Sequence, residues 1–207
     1  IEQLTAQMNP HFLYNTLEVI RALALFDGVK AEQVITELTQ VLRYSVDFSR
    51  DEVPLRDDIF YIQNYLNIQK VRFGDRFHCQ LDIAPECLTC MVPKLLLQPL
   101  LENSIKYGFR NTMDLHVRVE GRLEGGTLLF RVADDGGGME EEQALELQAQ
   151  LASHDRNSPS IGLRNLSRRL YLKYGSKSGV EVLNDEGRGF EVLVRIEDRR
   201  EPACIKS

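Results

Sequence analysis

The residues able to do chemistry in this 207-residue chain fall in four stretches, and the first holds a histidine. It reads Gln7-Met8-Asn9-Pro10-His11-Phe12-Leu13-Tyr14-Asn15-Thr16-Leu17. Asn9 is a good N-cap and Pro10 suits the first helical position. If Glu2 to Met8 is helical too, Pro10 sits at a kink instead. In either case His11 and Asn15 lie one turn apart on one face. Phe12, Leu13 and Leu17 can then pack inward and leave the imidazole outward. At physiological pH an unperturbed imidazole is mostly neutral and keeps a free lone pair, so it serves as a base, a metal ligand or a nucleophile. No His, Cys or carboxylate stands close by in the chain to complete a metal site.

The second stretch is Glu102-Asn103-Ser104-Ile105-Lys106-Tyr107-Gly108. Asn103 and Lys106 share a helix face. An amide oxygen can bind magnesium and an ammonium can meet a phosphate, so this face suits a polyphosphate. The third is Asp134-Asp135-Gly136-Gly137-Gly138 at a strand end. Glycines let backbone approach a ligand closely, and an aspartate there can accept from an exocyclic amine. The fourth, Ser160-Ile161-Gly162-Leu163-Arg164-Asn165, places a glycine at a helix start, where free N–H groups can hold phosphate. No GxxxxGK[ST] sequence occurs, which excludes a P-loop. Cys87-x-x-Cys90 offers half a zinc site, but the adjacent His78-Cys79 makes a poor second pair, and the cysteines read as reduced thiols. His78, His116 and His154 read as surface or packing residues.

These groups need elements to position them. Pro10 to Phe26 and Ala31 to about Phe48 have helical apolar spacing, joined by Asp27-Gly28 into an antiparallel hairpin. Such a hairpin buries little surface by itself, and a four-helix bundle from two chains is the simple solution. A third helix follows Val53-Pro54 and is stopped by Gly74-Asp75, where we set the boundary between domains. Beyond it, Phe77 to Ile83 alternates as a strand, and Val92-Pro93-Lys94 opens an apolar helix running through Leu95 to Ile105. Leu115 to Leu123 and Thr127 to Ala133 form a hairpin split by Glu124-Gly125-Gly126. Glu140 to Ala152 reads as a polar helix, His154 to Ser160 as loop, and Gly162 to Tyr174 as helix. Val180 to Leu183 and Gly189 to Ile196 make a closing hairpin. The expected class is α+β: a helical region, then an α/β sandwich whose mixed, mostly antiparallel sheet has helices on one face. The expected domains are 1–74, 75–199 and a tail at 200–207.

The totals narrow the function. A net charge of −6 gives no electrostatic footprint for nucleic acid. No apolar run of about 18 residues spans a membrane. The chain opens on Ile1, directly into a motif, and reads as a fragment whose upstream segment is missing.

In this order the four stretches resemble the sensor histidine kinases of the LytS/YesM type, over about Gln3 to Glu197. Residues 7–17 look like that family's phosphoacceptor box. Leu42-Arg43-Tyr44 and Tyr65-Leu66-x-Ile68-Gln69-x-x-Arg72-Phe73 look like its helices. The second half is similar to the GHKL ATP-binding fold shared with DNA gyrase and MutL. Pro99 to Lys106 matches the N box, Asp134-x-Gly136-x-Gly138 the first glycine box, and Gly162-Leu163 the second. Three positions depart from the pattern: Tyr107 stands where this subfamily commonly has histidine, Asp135 replaces asparagine, and Ser160 replaces a glycine.

The resemblance implies ATP and Mg2+ bound by Asn103, Lys106, Tyr107, Asp134, Gly136, Gly138, Gly162 and Leu163. In it Asp134 accepts the adenine amino group and Asn103 holds the metal. His11 takes the γ-phosphoryl and passes it to an aspartate of a response-regulator receiver domain. Residues 139–159 act as a mobile lid. It further implies a homodimer forming the cytoplasmic portion of a cell-membrane protein, with membrane contact only through the missing upstream segment. No general base is assigned; Glu102 qualifies by position only. The alternatives are a non-catalytic ATP-binding switch and, ranked last, a GHKL hydrolase, which needs an acid where Pro99 stands.

Overall fold

The computed structural model describes residues 10–110, 112–153, 162–184 and 189–197. The chain divides into two compact units. One comprises the residues up to His78 together with Met91–Leu95; the other comprises Cys79–Cys90 and Leu96 onward.

Among the described residues, the first unit holds three α-helices. These are α1 (Pro10–Phe26), α2 (Gly28–Val46) and α3 (Leu55–Phe73). Asp27 separates the first two and caps α2, its side chain accepting from the Lys30 N–H at 3.0 Å. The Asn9 cap lies outside the described residues. Asp57 and Asp58 occupy the first turn of α3, where carboxylates meet the positive end of the helix dipole. Gly74, at φ +63°, ends that helix, its N–H bonded to the Lys70 carbonyl. The expected two-helix hairpin therefore gains a third helix from the same chain. Phe12 meets the Tyr65 ring at 5.0 Å, and Val34, Leu38, Val41, Ile62 and Leu66 are buried around them. Much apolar surface stays exposed on α1 and α2, including Leu25 at 75%, Phe26 at 88% and Val29 at 80%.

One expectation fails here. The apolar run from Val92 does not open a helix. Met91–Pro93 is a short strand, β3, paired antiparallel with β1 (Glu52–Pro54). The Lys94 N–H goes to the Asp51 carbonyl at 3.0 Å, and Leu95 adopts φ +60°, which no right-handed helix contains. What overrides the local pattern is Asp58. It is fully buried, and its Oδ1 accepts from the Leu95 N–H at 2.8 Å and from the Tyr44 hydroxyl at 3.0 Å. Burial, then the Asp58 charge, push the Tyr44 hydroxyl up, so it remains a proton donor. Tyr44 also stacks on Tyr61 and carries the Lys94 ammonium over its ring.

The second unit is a five-stranded sheet in the order β2-β4-β5-β7-β6. Its strands are β2 (Phe77–Ile83), β4 (Leu115–Glu124), β5 (Thr127–Asp134), β6 (Gly179–Asn184) and β7 (Phe190–Glu197). The β4–β5, β5–β7 and β6–β7 ladders are antiparallel. The β4–β5 turn places Gly125 and Gly126 at positive φ, as a two-residue hairpin requires. Burial alternates along the strands. Leu115, Val117, Val119, Leu128, Phe130, Val132, Val192 and Val194 form the covered face, while Arg118, Arg131 and Arg195 point the other way.

Three helices complete this unit: α4 (Gln98–Gly108), α5 (Glu141–Ser153) and α6 (Gly162–Tyr174). Helix α4 packs on β4, β5 and β7, and α6 on β6 and β7. Buried Leu100, Leu101, Leu163, Leu166 and Leu170 supply their inner faces. The class is thus α+β, with helices first and then a sheet with helices packed on it, as expected.

Asp58→Ala leaves two part-buried donors without this acceptor. It is expected to destabilise the helical unit by roughly 2–5 kcal/mol, against about 1 kcal/mol for Tyr44→Phe, which removes only one bond. Urea titration followed by far-UV circular dichroism measures both, and equal losses would contradict the assignment of Asp58 as the shared acceptor.

Candidate functional site

Strand β5 ends at Asp134, which is paired with Val117 of β4 on one side and Phe190 of β7 on the other. The carboxyl is buried at 8% exposure. Its Oδ1 accepts from the Gly136 N–H at 3.1 Å, and the Ser104 hydroxyl and the Phe190 backbone also bond to it. Burial raises its pKa above the ordinary carboxylate range; these three bonds oppose the rise and neighbouring Asp135 adds to it. The side chain is therefore fixed in direction, and burial outweighs the bonds that favour its charge.

Beside it lies a cavity of about 210 Å³. Among the residues expected from the sequence, Asn103, Tyr107, Asp134, Gly138 and Leu163 line it. Three others, Gly136, Gly162 and Lys106, do not line it. A Cβ on Gly136 would fall 2.6 Å from the Gly108 Cα, so this glycine lets the loop press against the end of α4. A Cβ on Gly162 would meet the Pro99 Cβ at 3.1 Å, so Gly162 brings the start of α6 against α4. Lys106 is exposed, its ammonium 4.9 Å from the centre of the Tyr107 ring. Glu102 accepts from the Gln98 side chain at 2.8 Å and does not line the cavity; burial raises its pKa. His11 sits exposed on α1, in the helical unit.

Several contributors escaped the sequence reading. Gln143, Glu146, Leu147 and Gln150 of α5 line the cavity at helical i, i+3, i+4, i+7 spacing. That periodicity was present in a segment read as a polar lid. The described part of that segment is helix α5, which packs on β6 and α6. Ala144 and Leu151 are buried, Gln148 accepts from the Val182 N–H at 2.7 Å, and the Ser167 hydroxyl donates to the Leu151 carbonyl at 3.1 Å. The rest of the expected lid and Ser160 lie outside the described residues. Gly189 was also missed: at φ +107°, a Cβ there would stand 1.8 Å from the Asp134 carbonyl oxygen. No local signal marks it.

Asp135, one of the three departures, turns to the opposite face. Its Oδ1 accepts from the His116 N–H at 2.7 Å, and its Oδ2 lies 2.8 Å from the His116 Nδ1. The Asp135 N–H returns to the His116 carbonyl at 3.1 Å. These bonds tie the root of the glycine loop to the start of β4.

Comparison with known proteins gives this arrangement a family. Residues 1–77 match the family described as "Histidine kinase". Residues 92–200 match "Histidine kinase-, DNA gyrase B-, and HSP90-like ATPase". The chain belongs to the histidine kinases. It is 33% identical to the sensor histidine kinase YesM of Bacillus subtilis over 97% of this chain and 34% of that protein. It is 29% identical to the sensor protein kinase HptS of Staphylococcus aureus over 95% of this chain and 38% of that protein. The chain thus spans about a third of the length of the curated relatives it matches. The histidine kinase domain of the blue-light activated histidine kinase from Erythrobacter litoralis EL346 shares the fold. Its TM-score is 0.52 at 16% identity, covering 96% of each chain. No helix among the described residues is long and apolar enough to cross a membrane.

The raised Asp134 pKa has a consequence for stability. The folded state holds its proton to higher pH than the unfolded chain, so stability falls as pH rises above about 4, until the folded carboxyl has ionised. Asp134→Asn removes that loss. The variant is expected to melt higher than the parent at pH 7 and to lose the advantage near pH 3; scanning calorimetry at both pH values checks the sign.

Proposed function

We propose that this chain is the kinase core of a two-component sensor protein, autophosphorylating His11 from ATP and passing the phosphoryl group to an aspartate of a response-regulator receiver domain. The observation that carries the proposal is the buried Asp134 carboxylate, held by three hydrogen bonds beside a cavity that Asn103, Gly138 and Leu163 also line. A carboxylate so fixed can accept only a donor of matching position, and the adenine amino group is one. In this reading residues 1–74 are the dimerising phosphoacceptor region, residues 75–199 the ATP-binding domain and residues 200–207 a tail.

Asp134 orients the base. Tyr107 and Leu163 offer apolar surface to it. Lys106 approaches the phosphates as a point charge, and Gly138, at φ +68°, lets the backbone turn close to them. Asn103 would hold Mg2+ through its amide oxygen. Among the described residues no three His, Cys, Asp or Glu side chains form a cation site. When bound, Mg2+ neutralises phosphate charge. A ring nitrogen of His11 attacks the γ-phosphorus in line. The N–P bond forms as the bond to the bridging oxygen breaks, ADP departs and the ring proton is lost. Positioning and charge neutralisation supply the acceleration.

The exposed apolar residues of α1 and α2 support a homodimer of the helical region. The whole protein would be membrane-attached through a segment upstream, with this portion cytoplasmic.

Incubation with γ-labelled ATP and Mg2+ is expected to give an acid-labile, alkali-stable phosphoprotein. His11→Gln should abolish the label while nucleotide affinity is retained. Label persisting in that variant rules out His11 as acceptor. Affinity without any label in the parent favours a non-catalytic ATP-binding switch.

A further inference from the structure

The residues that line the cavity include two carboxylates, Asp134 and Glu146, and no Lys or Arg among the described residues. A nucleoside triphosphate carries several negative charges, so a cavity of that composition needs cations from its margin. Two are in place, and one aromatic ring holds both. The Lys106 ammonium lies 4.9 Å from the centre of the Tyr107 ring, and the Arg110 guanidinium carbon lies 4.7 Å from the same centre. Tyr107 itself lines the cavity.

We infer that Arg110 is a second phosphate-binding residue, held beside Lys106 by the Tyr107 ring so that the two cations clamp the phosphate chain of the nucleotide. The inference rests on the reading that this cavity takes ATP.

Local structure explains how the pair is kept ready. Arg110 follows Phe109, the C-cap of α4, and its N–H bonds to the Tyr107 carbonyl at 3.2 Å. Cations are favoured at this end of a helix, where the last carbonyls concentrate negative charge. Among the described residues, Arg122, Arg131 and Arg195 pair with Asp82, Glu191 and Glu181, while Arg72 lies over the Phe73 ring. Arg110 likewise stacks on an aromatic face. A ring holds a guanidinium in orientation through its quadrupole while leaving the N–H edge open to an anion. The planar fork then matches two phosphate oxygens, which an ammonium cannot do. Tyr107 thereby acquires a role: it is the platform from which both cations reach the ligand. A histidine at that position would become a cation when protonated and repel both.

The test compares ligands that differ only in phosphate. Isothermal titration of the 207-residue chain with ATP, ADP, AMP and adenosine is run on the parent, Arg110→Ala and Arg110→Lys. Arg110→Ala is expected to bind ATP about tenfold more weakly, with the deficit shrinking along the series and vanishing for adenosine. Arg110→Lys should recover part of the ATP affinity, since it keeps the charge and loses the fork. Adenosine binding equal to the parent shows that the variant is folded. Equal losses for ATP and adenosine, or no loss for ATP, overturn the inference and leave the ATP reading standing. A parent that binds none of the four ligands overturns both.

Discussion

In the second unit, the elements around the cavity converge on one buried carboxyl. Asp134 is the last residue of the central strand, and the elements around it converge on its two oxygens and its carbonyl. Ser104 comes from α4, Gly136 from the glycine loop, and Phe190 from β7. Burying a carboxylate is costly unless it is hydrogen-bonded, and here burial still wins over the bonds supplied.

The glycines around Asp134 serve approach more than flexibility. Gly136 has no positive φ, yet a side chain there would strike the Gly108 backbone. Gly189 needs both its φ and its missing Cβ, because β7 begins against the Asp134 carbonyl. Close backbone contact draws the end of α4, the glycine loop and the start of β7 to one place. The cavity then opens between them and one face of α5. The outer bond between Asp135 and His116 holds the same loop root from the solvent side, although an exposed pair of this kind contributes little net stability.

In the helical unit a second buried carboxyl plays a comparable part. Asp58 draws Tyr44 and the Leu95 backbone together, and the chain around Lys94 is bent to suit it. The sequence pattern there is a continuous apolar helix from Val92, supported by a proline placed as if to start it. Strand pairing with residues 52–54 and the Asp58 bond win over that local preference, and the helix begins only at Gln98. Propensity is worth tenths of a kcal/mol per residue, whereas a buried charge with two donors at stake is worth several.

What the sequence alone determined is whatever a short window can encode. Helix and strand periods, the stops at Asp27 and Gly74, the Gly125-Gly126 hairpin and the four motifs are all local signals. Asn103, Asp134, Gly138 and Leu163 were legible because each belongs to such a motif. The tertiary structure alone decided what depends on residues far apart in the chain. Ser104 and Gly189 matter only because they meet Asp134, and α5 becomes a cavity wall only because β6 and α6 hold it. Hydrogen bonds and close contacts of this kind leave no trace in spacing, since their partners are chosen by the fold.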